Sequence, residues 1–128
     1  MAVNLDKYFG SCHCGAVQFE IMTKLDRAIE CNCSYCSKKA MLYHRVEPEN
    51  FTLLSGEDYL TLYQFDTKEA SHYFCRNCGI HTFTRPRANP RLYSVNLRCL
   101  TGVDLQHPVF QIDKFDGKNW EQTIKTFR

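Results

Sequence analysis

Seven of the eight cysteines fall in three tight groups: Cys12-His13-Cys14, Cys31-Asn32-Cys33-Ser34-Tyr35-Cys36 and Cys75-Arg76-Asn77-Cys78. Cys99 stands alone. C-x-C and C-x-x-C spacings turn two thiolates toward one point, which is what a tetrahedral metal site requires. Two pairs, Cys12/Cys14 and Cys75/Cys78, supply the four thiolates of a closed site. The triple Cys31/Cys33/Cys36 supplies three and leaves a position free. A closed site holds a fold together, whereas an open one can take a substrate atom. Zinc is the expected metal on both clusters, two ions per chain, with iron on four cysteines as the runner-up. Spacing alone leaves two other readings of the triple. A fourth protein ligand, His44, His81 or Cys99, closes it, or its extra cysteine is a bystander and one zinc binds. A disulfide scaffold is a weaker reading, because such scaffolds spread their cysteines and belong to oxidising compartments.

The elements that must position these groups read as short strands. Val17, Phe19 and Ile21 alternate with Gln18 and Glu20, the period of a half-buried strand. Residues 41–46 and 51–54 flank the turn signal Pro48-Glu49-Asn50 and suggest a strand pair. Further strands are expected at 59–65, 70–74, 80–84, 92–97 and 108–112. Arg85 to Arg91 reads as a loop, since Pro86 and Pro90 interrupt any ladder. Asp116-Gly117 is a turn signal, after which Trp120 to Phe127 is expected to close the sheet. One turn of helix can follow Cys36. The expected class is mainly β, a single zinc-binding domain over 1–128 with metal knuckles at strand ends.

Composition narrows the partners. A net charge of +2 over 128 residues offers no field for nucleic acid. No apolar run approaches the roughly 18 residues of a membrane span, and Met1 to Lys7 lacks the apolar core of a signal peptide. A cytoplasmic protein is expected.

Gly10-Ser11-Cys12-His13-Cys14-Gly15-Ala16-Val17-Gln18-Phe19, the C-x-C-x-x-C at 31–36, Phe74-Cys75-Arg76-Asn77-Cys78-Gly79 and Ser94-Val95-Asn96-Leu97-Arg98-Cys99-Leu100 together resemble the family of glutathione-dependent formaldehyde-activating enzymes, which also contains centromere protein V. The resemblance implies a β-rich, Mss4-like fold. It implies a structural zinc on Cys12, Cys14, Cys75 and Cys78 and a catalytic zinc on Cys31, Cys33 and Cys36. It also implies a carbon–sulfur lyase activity, the formation of S-hydroxymethylglutathione from glutathione and formaldehyde. Where the family often has Cys-His-Cys in the second motif, this chain has Asn32, which changes the wall beside the ligands.

A thiol–aldehyde reaction also needs a proton at the new hydroxyl. His81 and His44 are the expected donors, with Tyr43 as a further candidate and His72 and His107 weaker ones. Arg85 and Arg87, and behind them Arg91 and Arg98, can pair with a thiol's carboxylates. The competing reading is a zinc-stabilised protein- or nucleic-acid-binding module without catalysis. A methionine-sulfoxide reductase relative acting through Cys99 is a third, which the extra cysteine group argues against.

Overall fold

The computed structural model describes residues 5–106, 108 and 110–127. Two β-sheets face each other. The smaller has the order β1 (Asp6–Ser11), β2 (Gln18–Thr23), β5 (Phe51–Ser55). The larger runs β10 (Gln111–Phe115), β3 (Arg27–Cys31), β4 (Leu42–Val46), β9 (Tyr93–Asn96), β8 (His81–Arg85), β7 (Ser71–Cys75), β6 (Leu60–Tyr63). The pairings are antiparallel except that of β10 with β3. Among the described residues no helix is long and apolar enough to cross a membrane.

The alternation expected around Val17 is β2: Phe19 and Ile21 are fully buried and enter the core between the sheets with Ala28, Leu42, Val46, Phe83, Val95 and Leu97. Phe51 anchors β5 there, stacked on Tyr93 at 4.0 Å and on Phe19 at 5.6 Å. That anchoring overturns the expected pairing of 41–46 with 51–54. Pro48–Asn50 is a 3₁₀ turn that carries the chain from one sheet to the other, so β4 pairs with β3 and β9 while β5 pairs with β2.

Trp120 to Phe127 does not close the sheet. Asp116-Gly117 leads into a 3₁₀ turn at Gly117–Asn119 and a helical turn, α2 (Trp120–Thr123). The Thr123 hydroxyl donates to the Asp116 carbonyl at 2.9 Å, which folds the segment back on itself. Trp120, Ile124 and Phe127 then cover Phe115 in a second apolar cluster with Ile29, Met41 and Tyr43. The last strand begins at Gln111 rather than 108, and Val109 lies outside the described residues. The helical turn after Cys36 is present as α1 (Cys36–Lys39). Strands β1 and β3 are additional. β1 is largely exposed, and β3 buries the adjacent Ala28 and Ile29 toward opposite clusters, so neither has a two-residue period.

Candidate metal centres and the adjoining cavity

All eight cysteines are free thiols, and seven gather into two groups. The sulfurs of Cys12, Cys14, Cys75 and Cys78 lie within 4.8 Å of one another. Cys12 Sγ is 3.6 Å from Cys14 Sγ, which is 3.7 Å from Cys75 Sγ. Tetrahedral zinc with bonds near 2.3 Å requires sulfur–sulfur edges of about 3.8 Å. Backbone amides aim at the sulfurs: Val17 N–H at Cys12 from 3.3 Å, Asn77 and Cys78 at Cys75, Ile80 at Cys78 and Ala16 at Cys14. Such donors stabilise thiolate charge. Gly79 makes the second knuckle possible: at φ +79° it returns its N–H to the Cys75 carbonyl at 2.8 Å. The donor set and its spacing fit a closed zinc site that joins the start of β2 to the β7–β8 turn.

Cys31 ends β3, Cys33 follows it and Cys36 opens α1. Their sulfurs also lie within 4.8 Å of one another, and among the described residues no fourth metal-binding side chain joins them. The Cys36 amide donates to Cys33 Sγ at 3.3 Å, and Tyr43 Oη lies 2.6 Å from Cys36 Sγ. Hydrogen bonds from Cys31 and Cys36 hold the Cys33 pKa low, and the same contacts push the Cys36 thiol up, so negative charge gathers on the middle sulfur. Three thiols this close, with no fourth metal-binding side chain among the described residues, fit a metal with one position left for another ligand.

The triad borders two hollows. One, of ≈460 Å³, lies between Cys31, Cys36 and the basic residues Arg98 and Lys114. The other, of ≈340 Å³, meets all three cysteines and rests on the outer face of the larger sheet. Its floor is a row of residues in register across four strands: Arg45 opposite Ser94, Ser94 opposite Thr84, Thr84 opposite His72. Residues 65–67, 86–88, 117, 118, 120 and 121 stand around it.

A hydrogen-bonded chain enters this floor from α1. Lys39 Nζ contacts Tyr35 Oη at 2.8 Å and also His81 Nδ1. His81 Nε2 is 2.8 Å from Thr84 Oγ1, which is 3.1 Å from His72 Nδ1. A β-bulge at Tyr73/Phe74 turns His81 to the same face as Thr84, three residues on. Burial, then the Lys39 charge, holds His72 near pKa 4 and, with His72 added, His81 near 2, so both rings are neutral at neutral pH. Burial pulls Lys39 down to about 8.

The expected site residues divide. Arg87 lines the cavity, its guanidinium 3.8 Å over the Trp120 ring and donating to Glu121 Oε1 at 2.7 Å. His81 stands behind the floor, and Tyr43 is at the triad. His44 is on the core side of β4, where one ring nitrogen meets Thr23 Oγ1 at 2.7 Å and the other the Arg27 carbonyl at 2.7 Å. Arg85 is a loop clamp, donating to the carbonyls of Pro90, Leu92 and Arg91 at 2.9, 3.1 and 3.0 Å. Cys99 is half-buried in a 3₁₀ turn, its thiol pushed up to about 12 by burial. His13 is exposed, and His107 lies outside the described residues. Neither Arg45 nor Thr84 stands out in the sequence, and His72 is one of its weaker candidates. The signal was available: if Tyr43 faces the triad, Arg45 shares its face and His44 cannot.

A two-sheet β framework of Mss4-like architecture carries one four-cysteine cluster and one three-cysteine cluster beside a cavity, each able to hold a metal ion. The chain belongs to the glutathione-dependent formaldehyde-activating enzyme family, whose model matches residues 7–113. It is also similar to the crystal structure of a Rhodobacter sphaeroides protein, with 35% identity, a TM-score of 0.73 and coverage of 82% of this chain and 99% of that one.

Proposed function

We propose that this chain is a zinc-dependent carbon–sulfur lyase-type enzyme that forms or cleaves thiol–aldehyde adducts, as in S-hydroxymethylglutathione formation from glutathione and formaldehyde. The observation that carries the reading is a three-thiol cluster, with no fourth protein ligand among the described residues, facing a cavity floored by a chain of proton-bearing groups. Cys31, Cys33 and Cys36 would hold the catalytic zinc and Cys12, Cys14, Cys75 and Cys78 the structural one. Bound at the triad, zinc supplies the means to keep a substrate thiol deprotonated at neutral pH.

The remaining steps fall to the protein. The thiolate sulfur adds to the aldehyde carbon, the carbonyl π pair moves to oxygen, and that oxygen takes one proton. His72 is the donor. Its Nδ1 accepts from Thr84, which leaves the Nε2 hydrogen for the substrate oxygen. The Thr84 hydroxyl accepts in turn from His81 Nε2, and His81 Nδ1 from Lys39, so one proton shifts along each bond and Lys39 replaces it from the surface side. His81 thus acts through His72. Cleavage runs the chain backward. Arg87, levelled on Trp120, bounds the space for the thiol's remainder. The free cysteines suit the reducing cytoplasm.

Protein purified under reducing conditions should carry two zinc ions per chain and accelerate adduct formation between formaldehyde and a small thiol, followed by NMR of the hydroxymethyl carbon. A rate no greater than the spontaneous one for every thiol in a panel would defeat the lyase reading. Zinc at both sites with no turnover would favour a binding module.

A further inference from the structure

Arg45 sits half-buried on β4 with its side chain on the cavity floor. Among the described residues no carboxylate pairs with it, and burial first, then the nearby Arg27 cation, works against its charge. The cavity's other guanidinium is already engaged, since Arg87 lies on Trp120, bonds Glu121 and stands 3.4 Å from Glu69 Oε1. An unpaired guanidinium taken partly out of water is costly unless an anion meets it there. Two residues back on the same face, Tyr43 touches Cys36 Sγ at 2.6 Å, so Arg45 stands one strand repeat, about 6–7 Å, from the residue that marks the triad. Across the sheet, Ser94 and Thr84 separate it from His72, a span of about 14 Å at the usual strand spacing. The floor therefore holds a cation at one end and the proton donor at the other.

We infer that Arg45 is the specificity-determining anchor for a carboxylate on the substrate, so that the site takes carboxylate-bearing thiols in preference to neutral ones. The inference rests on the lyase reading for the thiol, but the anchor itself is a property of the cavity. A planar guanidinium pairs a carboxylate through two parallel N–H donors. Ser94, directly opposite in register, adds a hydroxyl beside it.

The chain's single tryptophan lines the same cavity, so its fluorescence reports occupancy. The probes are S-methylglutathione, which is a thioether and no substrate, and its dimethyl ester, which lacks both carboxylates. The wild-type protein should bind the acid about 10- to 100-fold more tightly than the ester, the value of a charge-assisted hydrogen bond. Arg45→Met should bind both at the ester's level, and Arg45→Lys should keep part of the preference. Circular dichroism confirms folding, and if Arg45→Met fails to fold, Arg45→Gln against Arg45→Lys reads the same difference. Equal binding of acid and ester by the wild type, or an undiminished preference in Arg45→Met, overturns the anchor. These outcomes separate from those of the lyase reading. Carboxylate-dependent binding without turnover of any thiol keeps the anchor and sinks the lyase, and turnover without a carboxylate preference does the reverse.

Discussion

Gly117 offers the sharpest test of how the triad is built. A Cβ at this position would lie 2.6 Å from Cys31 Sγ, 2.8 Å from Cys33 Cβ and 3.1 Å from the Cys33 nitrogen. Ordinary contacts between such atoms are about 3.5–4.0 Å, so Gly117→Ala forces a displacement of roughly 1 Å. The turn cannot easily supply it. Asn32 Nδ2 donates to Asp116 Oδ1 at 3.0 Å, Asn32 Oδ1 accepts from the Lys118 amide at 3.2 Å, and Thr123 holds the Asp116 carbonyl at 2.9 Å. The thiols must move instead, and metal–ligand distances tolerate only about 0.2 Å. Overpacking of this kind costs about 1–3 kcal/mol. Borne by the metal site, that is about a 5- to 150-fold weaker second zinc. Zinc per chain, followed by competition with a chelating dye, should show the four-cysteine ion retained and the triad ion lost or weakened, with little change in circular dichroism. Adding Asn32→Ala to Gly117→Ala frees the turn and should restore part of the affinity. Two zinc ions held at wild-type affinity in Gly117→Ala would refute the packing argument.

Other expectations follow from the same geometry. Cys75→Ser, at a fully buried ligand position, should cost most of the cooperative unfolding transition measured by thermal denaturation, as should chelation of the closed site. Thr84→Val removes the hydroxyl between two imidazoles; it should lower stability by about 1–3 kcal/mol and turnover by roughly 100-fold, while Thr84→Ser keeps both. Burial, then the Lys39 charge, depresses the folded pKa of His72 from 6.5 to about 4, against the opposing Cys33 charge. Below pH 6.5 the unfolded chain therefore binds protons that the folded chain refuses. This contribution is intact above 6.5 and is lost as the pH falls toward 4. The unfolding midpoint should decline over that window, and less steeply in His72→Gln; equal slopes would remove His72 from the account.

The two cysteine clusters were legible because ligand chemistry is local: three tight groups of cysteines announce themselves without any tertiary information. Most strands were legible too, where a two-residue period records one wet and one buried face, as in Gln18–Thr23. Strand β3 was not, because it is covered on both faces. The segment after Asp116 was misread because Trp120 and Phe127 suit a strand but pack here on Phe115, over the far face of the sheet. The cavity floor was illegible for a different reason. Arg45, Ser94, Thr84 and His72 come from four separate strands, and only the register brings them into line. His44 drew attention as a histidine near the triad, yet strand parity gives it to the core.

The parallel pairing of β10 beside β3 bears on how the protein is made. A ribosome releases Cys12, Cys14, Cys75 and Cys78 well before residues 111–121, which pair beside β3 and supply Phe115, Gly117, Lys118, Trp120 and Glu121 to the cavity wall. The four-cysteine knot can close while the chain is still being extended. The triad, though translated early, has its wall only when the late segment docks alongside β3, and Arg27 with Asp113 is the ion pair that fastens that docking. Until then the three thiols stand open to any soft metal or oxidant. Nascent chains therefore pass through an interval in which the four-cysteine group can already take a metal while the triad is still without its wall. A slow stretch of translation before residue 111 would lengthen that interval.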